Sequence, residues 1–332
     1  MRHMCRTNIW FLAYEVLGYR DLDEEFHAEM CRNLNHWPMM DDFRPYPYEA
    51  NFWPRGGFKT TLATEARSIQ TLLRCPEETI LIEHGKKEMA EAILRGIRGQ
   101  FEKNLLLKWL FPDIIPSRPK TQVDKWTNAE ISVLRKGVYK EASVTASSAE
   151  ADSTGGHYTL LIFDDLVCEE NINTKDRMDA VYNHFCMCQS LQDQRWIKEG
   201  DVRWQKWYTG DYRYDKETGE MFVFNRVAII ATRWDYRDSN ARVIDEENKK
   251  FAGRVNVTLI PAVDKDGNSF FPKKYPIKRL MEIKEEMGPY SFSAQYMQDP
   301  YPSDAQIFKR GYIKNWTDRT LPKNLNYYTC VD

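Results

Sequence analysis

Pro54-Arg55-Gly56-Gly57-Phe58-Lys59-Thr60-Thr61 stands directly before Leu62, Ala66, Ile69, Leu72 and Leu73, an apolar series at helical spacing that Cys75-Pro76 stops. A glycine-rich turn that runs into a helix N-terminus directs backbone N–H groups at an anion, and the helix dipole adds to the attraction. Phosphate chemistry also needs a cation to offset phosphate charge and a hydroxyl to ligate Mg²⁺. Lys59 and Thr60 fit those two roles. A strict loop of this kind carries glycine where Trp53 and Phe58 stand. Phenylalanine at φ > 0 costs of order 1–3 kcal/mol, so Gly56 and Gly57 are expected to take the unusual dihedrals one residue earlier. Taken alone, the segment reads equally well as a surface turn before a helix.

Outward from the loop the chain alternates between two periodicities. Thr79 to Ile82 is a β-type run, and Ala90, Ile93, Leu94, Ile97 and Phe101 mark a second amphipathic helix. Ile131 to Leu134 and Val144 read as further strands, and Thr159 to Phe163 and Val227 to Ala231 as buried ones. Alternation of this kind predicts an α/β fold with a mostly parallel sheet flanked by helices. Residues 1–44 read as a helical lead-in, with Phe11, Leu12, Leu17, Leu22 and Phe26 among charges and a proline-rich connector at its end. Residues 45–252 form the expected core. Residues 200 to 224, aromatic and charged with a Lys216-Glu217-Thr218-Gly219 turn signal, read as a β-hairpin insertion. Residues 253–324, with a strand, an Asp266-Gly267 turn and a helix around Ile277 to Met287, read as a small second unit.

The second chemical signal is Leu160-Leu161-Ile162-Phe163-Asp164-Asp165, an apolar strand tipped by two carboxylates roughly 100 residues after Lys59. Acids at the carboxyl end of a parallel strand meet ligands. Asp164 is expected in the Mg²⁺ shell, with Asp165 orienting the attacking water, because phosphoryl transfer is mostly positioning and charge stabilisation. For an isolated Asp-Asp pair, helix capping is the plainer reading. Ile229-Ile230-Ala231-Thr232-Arg233-Trp234 is another buried strand with a polar tip; a hydroxyl there could sense a γ-phosphate, but by composition alone it is only a strand end.

Bulk composition narrows the classes. The 332 residues are 42% hydrophobic and 29% charged, the balance of a globular protein. A net charge of −2 provides no global basic field for nucleic acid, so any DNA grip must be local. Basic clusters at Lys86/Lys87 with Arg95/Arg98, at Arg118/Lys120/Lys125 and at Lys273/Lys274 with Lys278/Arg279 read individually as solvated surface. No apolar run approaches membrane-spanning length, and Met1 to Phe11 is too polar for a secretion signal, so no membrane partner is expected. Seven cysteines form no disulfide framework and are expected reduced, in the cytoplasm. His184, Cys186 and Cys188 lack a second Cys or His pair at zinc spacing and read as ordinary helix packing.

Taken in order, these segments resemble the large terminase family of tailed bacteriophages, whose motors package viral DNA. Arg55, four residues before Lys59, looks like the arginine of that family's Walker A loop, and Asp164-Asp165 occupies the Walker B position. Asp152-Ser153-Thr154-Gly155-Gly156-His157 also fits, Thr232-Arg233-Trp234 is similar to the coupling motif, and Phe292 to Pro300, FSAQYMQDP, is similar to a stretch following the family's ATPase core. The resemblance covers about residues 45 to 332. It implies an ASCE-type P-loop NTPase with a lid or linker subdomain, binding ATP and Mg²⁺ through Arg55, Gly56, Gly57, Phe58, Lys59, Thr60 and Thr61. Asp165, Arg55 and Thr232 become catalytic or coupling residues. Asp165 stands where glutamate is common, ~1.5 Å shorter in reach, so the water needs a shifted position or help from Glu169. Residues 325–332 look like the opening strand of the family's RNase H-like nuclease, with Asp332 as its first metal ligand, so no nuclease activity is expected from this chain. Implied partners are double-stranded DNA, the portal protein and the small terminase subunit. The implied assembly is a ring, expected to be pentameric, on the capsid in an infected bacterial cytoplasm; a monomer in free solution is the alternative state. The alternatives are another DNA-dependent P-loop ATPase or helicase, a nuclease, or a scaffold with a degenerate nucleotide site.

Overall fold

Residues 1–38, 46–150, 155–193, 195–198, 212–215, 220–223, 226–245 and 247–300 are described by the structure, a computed structural model. Its strands are β1 Tyr48–Phe52, β2 Ile80–His84, β3 Glu130–Ile131, β4 Val144–Ser148, β5 Leu160–Asp164, β6 Arg195–Lys198, β7 Tyr212–Asp215, β8 Glu220–Val223, β9 Arg226–Ala231 and β10 Val255–Leu259. Seven of them form one sheet in the order β10-β1-β9-β5-β2-β4-β3. Every pairing in it is parallel except β3 with β4.

Period-two alternation splits the sheet between two apolar layers. Ile80, Ile82, Leu160, Ile162, Ala228 and Ile230 face the helix Lys87–Lys103, the helix that follows the glycine loop, and the N-terminal helices. Leu81, Leu161, Phe163, Val227, Ile229 and Ala231 face the helix Lys175–Cys188 and its neighbours. Covered on both faces, the central strands are buried along their whole length, which is why they read as unbroken apolar runs. Cys5, Ile9, Leu12, Met30 and Leu34 share the first layer with sheet residues, so the N-terminal helices belong to the main core.

Two features depart from expectation. β1, which leads into the glycine loop, was not legible as a strand, because Glu49 and Asn51 interrupt its apolar residues. Both are buried on the face toward the loop helix, where Arg67 bonds Glu49 at 2.7 Å and Asn51 donates to Glu49 at 2.8 Å. β10, read as the start of the second unit, instead pairs in parallel with β1 as an edge strand of the main sheet. Its exposed Val257 and Leu259 fit an edge position.

The aromatic insertion is a separate antiparallel sheet, β6-β8-β7, so the expected hairpin β7/β8 gains a third strand. Its Lys216-Glu217-Thr218-Gly219 turn lies outside the described residues. The C-terminal unit packs Ala262, Phe270, Phe271, Leu280, Ile283, Phe292 and Tyr296 together, and Phe26 and Phe58 rest against this cluster. Among the described residues no helix is long and apolar enough to cross a membrane.

Candidate active site

In the sheet, β9 lies between β1, which feeds the glycine loop, and β5, which ends in the acids. All three run parallel, so Trp53, Thr232 and Asp165 follow the carboxyl ends of adjacent strands. The sheet is mostly parallel and flanked by helices, as expected of an α/β fold.

The loop closes with Gly57 N–H donating to Pro54 O at 3.2 Å. Gly56 takes φ +76°, and Phe58, not Gly57, takes the second left-handed position at φ +57°. This corrects the expectation that the glycines alone would absorb the unusual dihedrals. Ring contacts hold Phe58 there. Its ring centroid is 5.5 Å from that of His27 and 6.4 Å from that of Phe271, and Lys274 Nζ lies 4.5 Å from it. The C-terminal unit also presses on the loop. A Cβ at Gly56 would sit 2.0 Å from the Tyr275 hydroxyl, and Lys274 Nζ donates to Gly56 O at 3.3 Å. Because position 58 is left-handed, Phe58→Gly is expected to be more stable than Phe58→Ala by about 1 kcal/mol, the reverse of their helix preferences. Urea unfolding of the two variants checks this, and an alanine variant at least as stable would mean that the loop does not hold this conformation.

After Lys59 the helix opens with a wide π-helical stretch, Thr60–Ala66, before continuing as a regular α-helix over Arg67–Arg74. The four-residue spacing of Thr60 and Thr64 puts both hydroxyls on one carboxylate. Thr60 Oγ1 donates to Asp164 Oδ1 at 3.1 Å and Thr64 Oγ1 to Asp164 Oδ2 at 2.6 Å. Lys59 Nζ reaches the second acid, 2.7 Å from Asp165 Oδ2. The Thr232 backbone N–H, rather than its hydroxyl, donates to Asp165 Oδ1 at 3.3 Å. Asp165 itself is left-handed, at φ +46°, and Gly85 N–H donates to its carbonyl at 3.2 Å. Glycine is required at 85, because an added Cβ would meet Leu166 O at 2.8 Å and Cys168 Sγ at 2.9 Å. Left-handed Phe58, next to Lys59, and left-handed Asp165, the carboxylate of the lysine–carboxylate pair, are strain concentrated where a fold over-determines its geometry.

Asp164 is wholly buried. Burial, and then the charge of Asp165, push its carboxyl up to about 7, against the pull of Lys59, Thr64 and Thr60. A carboxyl whose pKa is raised on folding keeps a proton that the unfolded chain has already lost, so stability falls as pH rises from about 4 to about 7. Without Mg²⁺ or nucleotide, wild type is expected to lose stability over that window relative to Asp164→Asn, which lacks the titrating group. Parallel slopes in chemical denaturation would contradict the assignment. His84, at the end of β2, is held by burial below the ordinary imidazole range, and its Nδ1 accepts from Lys86 N–H at 2.9 Å. The remaining proton of the neutral ring is therefore on Nε2.

No family model matches the chain, and no curated protein matches it either. Among solved structures it is similar to the crystal structure of the HK97 bacteriophage large terminase, with a TM-score of 0.46 and 15% sequence identity over 84% of this chain. The chain spans 50% of that structure's length.

The structure thus brings Lys59, Thr60, Asp164, Asp165 and the Thr232 backbone together. Arg55 is exposed and lies 5.2 Å from the Trp234 ring centroid. Thr61 is half-buried in the first turn of the loop helix. Glu169 is exposed on a 3₁₀ turn, and its neighbour Glu170 pairs with Lys86. Asp332, with the rest of residues 325–332, and Asp152 to Thr154 lie outside the described residues. Sequence reasoning missed Thr64, whose i+4 spacing from Thr60 was the available signal. It also missed Gln298, buried at φ +59°, whose Oε1 accepts from Arg233 N–H at 3.1 Å and so ties the FSAQYMQDP stretch to the residue after Thr232.

Proposed function

We propose that this chain binds ATP with Mg²⁺ and hydrolyses it, and that it drives double-stranded DNA into a phage capsid as the ATPase part of a large terminase. The observation that carries the ATPase reading is the 2.7 Å approach of Lys59 at the mouth of a helix to the acid pair at the tip of a parallel strand. Motif resemblance at Arg55, Thr232 to Trp234 and Phe292 to Pro300 supports the terminase assignment.

The donor set fits a hard divalent cation. Asp164 is a buried carboxylate with hydroxyls at both oxygens, and the neighbouring ammonium is engaged by Asp165. Thr60 and Asp164 would hold Mg²⁺, which supplies charge neutralisation for the phosphates. Lys59 leaves Asp165 to meet β- and γ-phosphate oxygens, and the Gly56 and Gly57 backbone cradles them. Released from the ammonium, Asp165 orients and polarises the attacking water. The Thr232 N–H holds the other oxygen of Asp165, so a change at the acid is felt at once by the strand end that carries Arg233 and Trp234. Arg55, parked on Trp234, is placed to swing toward developing charge in cis, and a neighbouring subunit's arginine is the alternative source.

Packaging requires grip on phosphates without sequence preference, so duplex binding is expected to weaken steeply with salt. The test is phosphate release by the purified chain with and without duplex DNA. Stimulated release without strand separation supports the proposal, strand separation favours a helicase, and plasmid cleavage with Mn²⁺ favours a nuclease. ATP binding without release marks a degenerate site. Portal protein, small subunit and a pentameric ring are the partners and assembly that this reading carries with it.

A further inference from the structure

On the sheet face opposite the loop helix, β2 and the helix Lys175–Cys188 bring three unlike donors together. Glu83 comes from the strand, and His184 and Cys188 from successive turns of the helix, at i and i+4. Their donor atoms all lie within 4.8 Å of one another. Glu83 Oε2 is 3.3 Å from His184 Nε2, and Cys188 Sγ is 3.4 Å from the same nitrogen. The Glu83 and His184 side chains are 1% and 14% exposed, and Cys188 is 2% exposed, so two of the donors are buried and the third is partly open to solvent.

The two contacts to His184 have lengths and a convergence that suit a shared cation. A charge-assisted N–H to carboxylate bond is about 2.7–2.9 Å long, shorter than the contact here. Both contacts end on one ring nitrogen, where a single proton or a single lone pair serves one partner well and not two. Tetrahedral coordination with ligand bonds of about 2.0–2.3 Å puts ligand atoms roughly 3.3–3.7 Å apart; the two separations to His184 fall in that range, and Glu83 and Cys188 lie within 4.8 Å of each other. The donor chemistry, one imidazole nitrogen, one thiol sulfur and one carboxylate oxygen, is the mixed set that selects zinc over magnesium or calcium.

We infer that Glu83, His184 and Cys188 form a binding site for a zinc-type divalent cation, distinct from the Lys59 site. Three protein ligands leave a fourth position for water, and loading expels the Cys188 thiol proton to solvent. The ion ties β2 to the helix that covers it. Glu83 directly precedes His84 and Gly85, and Gly85 N–H bonds the Asp165 carbonyl, so the tie anchors one wall of the candidate active site.

Co²⁺ is the probe. The whole chain, stripped with a chelator under reducing conditions, is expected to bind one equivalent with a thiolate-to-cobalt charge-transfer band that Zn²⁺ then removes. Cys188→Ser and His184→Gln lose the band, and Cys186→Ser, which alters the neighbouring half-buried thiol, keeps it. X-ray absorption of the zinc-loaded wild type reads the ligands without any variant and is expected to show one sulfur with nitrogen and oxygen neighbours. No thiolate band in folded wild type, a band that survives Cys188→Ser, or zinc with no sulfur or several sulfurs overturns the inference. Circular dichroism of each variant separates loss of the site from loss of the fold.

Discussion

Lys59→Ala is expected to lower ATP turnover by at least about 10²–10³-fold, the scale of removing one preorganised group that faces developing charge. The lysine makes two contributions that alanine cannot. In the proposed mechanism it meets phosphate oxygens, and in this structure it holds Asp165 at 2.7 Å. Its loss also leaves the acid pair with less offsetting charge, so repulsion between Asp164 and Asp165 grows. Asp165→Asn is the companion test. The amide keeps an oxygen for the Thr232 N–H but no longer polarises water, and a loss of about 10²–10⁴-fold is expected, as for removal of a general base. Steady-state phosphate release, with thermal melts to confirm folding, checks both. Wild-type-like turnover in either variant would falsify the roles given to Lys59 and Asp165.

Arg67→Ala is expected to destabilise the protein by about 3–5 kcal/mol, because it strands the buried Glu49 carboxylate inside the core. Arg67 and Glu49 side chains are 6% and 3% exposed and 2.7 Å apart, which leaves water little access to either charge. The Arg67 guanidinium also lies 4.9 Å from the Trp37 ring centroid, and alanine cannot supply that cation–π attraction. Urea unfolding measures the effect. A double variant, Arg67→Met with Glu49→Met, is expected to recover much of the loss, since a buried pair replaced as a unit leaves no orphan charge. A loss under about 1 kcal/mol in Arg67→Ala would mean that solvent reaches the pair, as it does in surface ion pairs. The stake is more than stability, because Glu49 lies in the strand entering the glycine loop and Arg67 in the helix leaving it.

Strands β5 and β9 were legible as runs of apolar residues, because a strand covered on both faces has no polar side to show. The helix after Lys59 was legible because its apolar residues repeat at 3.6. Glycines ahead of a lysine and threonine, and paired acids at a strand tip, named the candidate chemistry only together, because each alone reads as readily as a turn or a helix cap. β1 was hidden because its polar residues are satisfied by Arg67, a partner 18 residues away that no local pattern reveals.

Linear order therefore set the alternation of strands and helices and the residues able to do chemistry, since both follow from side-chain type and local spacing. The assembled fold decided the rest. It placed β9 between the loop strand and the acid strand, put Phe58 rather than Gly57 in the left-handed region, and joined β10 to the main sheet. It also carried Glu83 to His184, 101 residues away in sequence, completing a donor set that the helix alone left at two. The reason is physical. Pairing between strands and the closing of one core on two faces set distances between residues far apart in the chain, and no local period encodes a distance of that kind.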